Sequence, residues 1–285
     1  MTMAGKSWRF LRASAAVLII VLFFGPAASA QAPETPQAIN LPQLEEAANA
    51  NDAAAQFKLG MLNLTGAEGL AANPEEAAKW LQKAADQGLV EAIYNLGMLY
   101  LDGKGVPQDD VSAARLFRQA ADQGYGSAQY NLGLMYHLGR GVPLDYQQAV
   151  EWYTKAADQN FVDAQISLGR MYETAQGVPR DDFESARWFL KAAETGDARA
   201  QFYTGTKYAK GLGVNQDATE AARWYKMAAD QSLPMAQLAL ADCYYEGEGV
   251  ARNYPEAARL YEAAAASGLG QAQVGLDRMR NEGLL

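Results

Sequence analysis

The chain has 285 residues, 49% of them hydrophobic, and a formal net charge of −9. That length is too great for one small core, so repeats or more than one domain are expected. The acidic balance disfavours non-specific binding to phosphate backbones, which needs lysine and arginine, and a single cysteine, Cys243, excludes an intramolecular disulfide.

At the start, Lys6, Arg9 and Arg12 precede an apolar run from Ala15 to Phe24, and Ala28-Ser29-Ala30 is a small-residue processing site. Residues 1–30 therefore read as a signal peptide cleaved after Ala30, which places the mature chain in the periplasm or outside the cell. The run is about half of the ~20 residues a spanning helix needs, so a membrane association is expected only if the segment is kept as an anchor. Its removal takes away three basic and no acidic residues, moving the charge from −9 to −12. Residues 31–40 hold Pro33 and Pro36 and lack an apolar period, which predicts a flexible lead-in. The stretch from Leu41 to Asn51 matches the second half of a later repeat and predicts a capping helix.

From there the chain repeats. Ala55, Ala92, Ala128, Ala164, Ala200, Ala236 and Ala272 are spaced by 37 residues once and by 36 five times. Leucine recurs at offset 4 (Thr204 excepted), glycine mostly at offset 5, and tyrosine at offset 8 from Tyr100 onward, which describes one face of a helix, helix A. A glycine turn follows, as in Asp102 to Asp109. Next comes Asn73, Asp109, Asp145, Asp181, Asp217 or Asn253, each placed to cap a second helix, B. Glu76, Gln148, Glu184, Glu220 and Glu256 stand three residues later, which predicts reciprocal capping boxes. Trp80, Trp152, Trp188 and Trp224 share one position on helix B and read as core between repeats rather than as a sugar-binding ladder. Gly88, Gly124, Asn160, Gly196, Ser232 and Gly268 mark the end of helix B. A lone hairpin cannot bury its apolar face, so the product is an all-α solenoid.

The spacing of Ala128, Leu132, Gly133, Tyr136, Gly139, Gly141, Val142, Asp145, Ala149, Trp152, Ala156 and Ala157 resembles the Sel1-like repeat family, relatives of tetratricopeptide repeats. The resemblance spans residues 41–285, with repeats at about 55–91, 92–127, 128–163, 164–199, 200–235 and 236–271 and a C-terminal cap at 272–285. It implies a right-handed α/α superhelix with capping helices at both ends, acting as a non-enzymatic scaffold for a protein or peptide partner, and no cofactor. Cysteine-rich relatives bind penicillin-like compounds, so the alternative is a protein that binds or hydrolyses cell-wall peptide or β-lactam. Those relatives carry paired cysteines that are lacking here.

No constellation in the sequence supports catalysis. His137 is the sole histidine, so no multi-histidine metal site can form, and a general base also needs a positioned nucleophile. No Ser-x-x-Lys motif occurs: Ser112, Ser167 and Ser185 lead to Arg115, Arg170 and Trp188. Asp109-Asp110 and Asp181-Asp182 are explained by capping and the helix dipole. The Lys104-Gly105 turn lacks the Gly-Lys-Ser/Thr element of a phosphate loop. Cys243 reads as a small buried hydrophobe.

Positions that vary between copies are free to recognise a ligand. Offsets 2, 3, 6 and 10 of helix A lie opposite the constant ones. They hold Lys58, Tyr94, Asn95, Met98, Tyr130, Asn131, Leu134, Arg170, Tyr203, Thr206 and Asp242, with Met61, Asp102, Lys210 and Glu246 on the same stripe. These are the expected partner-binding residues, on the concave surface and centred on the second and third repeats.

Overall fold

The computed structural model describes residues 40–66 and 70–285. The expected signal peptide and all but the last residue of the lead-in lie outside the described residues. Those residues form fourteen helices and no strand: α1 (Leu41–Asn49), α2 (Ala53–Thr65), α3 (Pro74–Asp86), α4 (Val90–Asp102), α5 (Asp110–Asp122), α6 (Gly126–Leu138), α7 (Tyr146–Asp158), α8 (Val162–Thr174), α9 (Asp182–Ala193), α10 (Ala198–Lys210), α11 (Ala218–Asp230), α12 (Pro234–Glu246), α13 (Tyr254–Ala266) and α14 (Gly270–Asn281). Even-numbered helices α2 to α12 are the A helices and odd-numbered α3 to α13 their B partners, giving six hairpins in an all-α solenoid. None of the fourteen is long and apolar enough to cross a membrane.

The constant residues pack as their spacing predicts. All seven marker alanines are buried, as are the four tryptophans, and each A helix lies against its own B helix and the preceding one. The offset-5 glycine makes the close approach inside a hairpin possible: a Cβ at Gly97 would stand 2.8 Å from the Phe117 ring. The turn glycines do more than close a corner. A Cβ at Gly213 would fall 1.9 Å from the carbonyl oxygen of Asp182, the first residue of α9, and Gly105, Gly141, Gly177 and Gly249 make the same approach to the preceding B helix. Each turn therefore rests on the start of the previous hairpin's second helix, so the glycine turn also joins repeats.

Each predicted N-cap is in place, with Asn73, Asp109, Asp145, Asp181, Asp217 and Asn253 accepting from the amide three residues on. The reciprocal half of the expected capping box does not form. The amide of each cap residue donates instead to an A-helix carbonyl, as Asp109 does to Tyr100 at 2.9 Å and Asp217 to Tyr208 at 3.0 Å. With that donor already satisfied, the acids turn outward. Glu76, Glu184, Glu220 and Glu256 pair with Lys79, Arg187, Arg223 and Arg259, and Gln148 bonds Glu151. Each B helix ends on a left-handed residue, Gly88, Gly124, Asn160, Gly196, Ser232 or Gly268, as predicted.

A glutamine clamp adds a polar seam. Gln129 on α6 donates to the Ala121 carbonyl at 3.2 Å, while its Oε1 accepts at 2.7 Å from Gln159. Gln159 also donates to the Gly124 carbonyl of the preceding hairpin. Gln201 with Gln231, and Gln56 with Gln87, repeat the pairing. In the fourth and sixth hairpins the donor position holds Thr195 or Ser267, and the buried Oε1 of Gln165 and of Gln237 has no partner within the described residues. In the second, the inner glutamine is replaced by the fully buried Ile93.

After the sixth hairpin, α14 occupies an A-helix position. On it Gln273 and Arg280 both donate to Asp277, and Asp277 stands where offset 5 is usually glycine.

Candidate functional site

Neighbouring A helices touch directly as well as through the B helices. Asn131 on α6 donates to the Tyr94 hydroxyl of α4 at 3.2 Å, and its amide nitrogen lies 3.4 Å from Met98 Sδ. Arg199 on α10 bonds Asp163 of α8 at 2.8 Å, and Lys207 bonds Glu173 at the same distance. At the far end Arg278 reaches Glu246 at 3.5 Å, and the Tyr245 hydroxyl donates to Glu282. The A helices thus stand side by side as a layer.

The expected binding residues divide into two groups. At offset 2, Tyr94 and Tyr130 turn into the seam between repeats. Tyr94 lies 5.7 Å from the Phe117 ring and 5.1 Å from Tyr125, and Tyr130 stands 5.6 Å from Tyr153 and 5.1 Å from Phe161. Burial pushes both phenols up to about 12. Ile166 and Phe202 fill the same offset, so the position is apolar throughout and packs. Tyr203 stacks on Phe189 with centroids 4.7 Å apart. Asn131 is only 8% exposed, which makes it an inter-repeat bond first and a contact surface second.

The other group faces outward. Lys58, Arg170 and Asp242 are exposed; Asn95, Met98, Leu134 and Thr206 are half-buried. Asn95 donates to the Glu91 carbonyl, Thr206 donates to the Phe202 carbonyl and accepts from Tyr225, and Asp242 accepts from Tyr261 at 2.5 Å. The outward stripe is therefore offsets −1, 3, 6 and 10, which fall within about 60° at 100° per residue. Offset −1 adds Glu91, Asp163 and Arg199, which a helical wheel extended one residue before the marker would have included. Leu138, at offset 10 and 48% exposed, belongs there too.

The remaining polar residues have structural settings. His137 sits edge-on to Tyr146 at 5.4 Å and 6.2 Å from Tyr153. Burial first, and the Arg170 charge second, hold it below the usual histidine range. Cys243, expected as a small buried hydrophobe, is half-buried, and burial raises its thiol to about 11. Asp110 accepts from Arg140 of the next hairpin at 2.6 Å, and Asp182 pairs with Arg180. Among the described residues no group of three or more His, Cys, Asp or Glu side chains could hold a metal ion.

Comparison with known proteins agrees with this architecture. The Sel1 repeat model matches residues 53–89, 90–125, 126–161, 162–197, 198–233 and 234–269, each match beginning two residues before the marker alanine, at the first residue of helix A. The chain is similar to c5321, a protective antigen of uropathogenic Escherichia coli with an SLR fold, at 38% identity and a TM-score of 0.83 over 86% of its own length. It spans about half of that protein, 52%. A Sel1 repeat protein from Oxalobacter formigenes is 32% identical, with a TM-score of 0.69, over 80% of this chain and 100% of the other. No curated protein matches significantly. Six contiguous matches on six hairpins built around the same alanine, glycine and capping positions establish that the chain belongs to the Sel1 repeat family.

Proposed function

We propose that the chain is an exported, non-enzymatic scaffold that holds a protein or peptide segment along its A-helix layer, in envelope signalling or regulation. Sel1 repeat proteins are in general protein-interaction scaffolds, and this reading takes the A-helix layer as the concave wall. One observation carries this reading: the packing positions of helix A barely change between hairpins, while the outward stripe changes in size, polarity and charge at every step. Single apolar residues are ordinary on any surface, and only their grouping is informative. This stripe places Met98, Leu134 and Leu138 beside Asn95 and Arg170, a mixture suited to a partner.

The test is photo-crosslinking in living cells from position 134 on the A layer and from position 151 on the exposed B side. A partner captured from 134 and missed from 151 is the expected result. Equal capture from both, or none from 134, overturns the assignment of the face. Export is checked separately by mass, since cleavage after Ala30 leaves a chain beginning at Gln31, and an intact Met1 start contradicts it.

A further inference from the structure

Charge is unevenly ordered along the outward stripe. On α2 it carries one base, Lys58, and on α4 two acids and no base, Glu91 and Asp102. On α6 it is uncharged and partly apolar through Leu134 and Leu138, the latter 48% exposed. On α8 and α10 it carries three bases, Arg170, Arg199 and Lys210, against one acid, Asp163. On α12 it turns acidic again with Asp242, which accepts from Tyr261, and Glu246, which lies 3.5 Å from Arg278 of α14.

The bases differ in what they already hold. Arg199 is committed to Asp163 at 2.8 Å and Asp197 at 2.7 Å. Arg170 and Lys210 are exposed and make no side-chain hydrogen bond or ion pair among the described residues. Two unpaired cations on consecutive A helices, in a chain of net charge −9, stand between acids on either side. A long acidic partner would meet repulsion at α4 and α12, and a basic one would be repelled at the centre.

We infer that the A-helix layer takes an extended peptide of defined charge order: basic, apolar, acidic, basic, read across α4, α6, α8 with α10, and α12. The inference rests on the scaffold reading above and names the chemistry of its partner. Packed helices lie roughly 8–10 Å apart, and an extended chain advances about 3.3 Å per residue, so the peptide presents about one side chain in three to each A helix. Its apolar residue lies over Leu134 and Leu138, and its acids face Arg170 and Lys210. Its terminal lysines or arginines face Glu91 and Asp102 at one end and Asp242 and Glu246 at the other.

The test uses fluorescein-labelled, end-capped 15-residue peptides and fluorescence anisotropy. One carries lysine, leucine, glutamate, glutamate and lysine at every third position among serines and glycines. A second reverses that order, which covers both directions of binding. A third swaps every charge. The better of the first two should bind at least tenfold more tightly than the charge-swapped peptide at low salt, and the gap should narrow as salt screens the pairs. The double variant Arg170→Glu with Lys210→Glu should reverse the preference, a ratio that partial unfolding would not produce. Equal binding of all peptides, or a preference that survives the double variant, overturns the inference. If the charge preference is missing while position 134 still captures a partner in cells, the charge order falls and the scaffold reading stands; loss of both sinks both.

Discussion

Replacing Thr195 by glutamine should strengthen the fourth hairpin, and replacing Gln231 by alanine should weaken the fifth. In the fifth hairpin the Gln231 amide bonds Gln201 Oε1 and the Gly196 carbonyl, both at 2.9 Å. Gln201 is 2% exposed, so alanine at 231 leaves its Oε1 buried and unpaired, at a cost of about 1–3 kcal/mol. The fourth hairpin already carries that defect, because Gln165 is fully buried and its Oε1 has no partner. Glutamine at 195 would reach it and the Asn160 carbonyl together. The gain is offset by ordering of the new side chain, up to about 2 kcal/mol, and by loss of the Thr195 hydroxyl bond to the Ala192 carbonyl, about 0.5–1.5 kcal/mol. The expected outcome is a small net stabilisation, of order 0.5 kcal/mol, against a clear loss in the fifth. Repeat arrays open locally, so amide hydrogen exchange is the assay rather than a single melting temperature. Slower exchange in α8 and α9 for the first variant and faster exchange in α10 and α11 for the second are predicted. Unchanged exchange after Gln231→Ala, or faster exchange after Thr195→Gln, would refute the clamp.

Gly213→Ala places a Cβ 1.9 Å from the Asp182 carbonyl at a φ of +78°, so it should destabilise by more than about 2 kcal/mol and loosen the contact between the fourth and fifth hairpins, read by urea denaturation. Ala175 holds the same left-handed cap, at φ 56°, that glycine holds after the other A helices; Ala175→Gly should stabilise by about 0.5–1 kcal/mol and so raise the denaturation midpoint, and a fall would mean that the strain is not there. Lys207 is 2% exposed at an offset elsewhere filled by Leu99, Met135 and Met171, and its partner Glu173 keeps 38% of its side-chain exposure. Lys207→Met should therefore be neutral or stabilising by up to about 2 kcal/mol in the same assay. As the sole histidine, His137 gives one imidazole signal. Because its folded pKa is depressed, the unfolded chain binds the proton first, so stability is complete above the unfolded value of about 6.5 and declines as pH falls through the folded one. An NMR titration midpoint above 6.5 would contradict the sign.

Most of the scaffold could be read from period alone. The marker alanines, the B-helix caps and the left-handed ends lie where the spacing puts them, because each is a local requirement repeated six times. The reciprocal capping box failed for a tertiary reason: the amide it needs is taken by a carbonyl on helix A, which no local pattern reveals. Tyr94 and Tyr130 were legible as helix-A residues, but their direction was not. Offset 2 lies about 40° from the outward stripe, close enough to look exposed on a wheel and far enough to enter the seam once the next hairpin is in place. Glu91, Asp163 and Arg199 were missed because they precede the residue used as the origin of the register.

The deviations from the repeat separate by whether the chain itself answers them. Lys207 departs from an apolar position, and Glu173 answers it across the A layer. Ile93 replaces a clamp glutamine, and Gln123, left without its partner, keeps the bond to the carbonyl four residues back that Gln159 and Gln231 also make. Arg140 stands where the preceding turn has Lys104, and Asp110 with the Leu101 carbonyl receives it. Such compensated changes keep the solenoid intact and need no ligand. Arg170 replaces the Met98 and Leu134 of earlier hairpins at the same offset, yet no side chain among the described residues pairs with it. A cation introduced into a mixed apolar stripe without an internal partner is where the peptide inference starts, and on that inference the acids of the partner lie over α8 and α10.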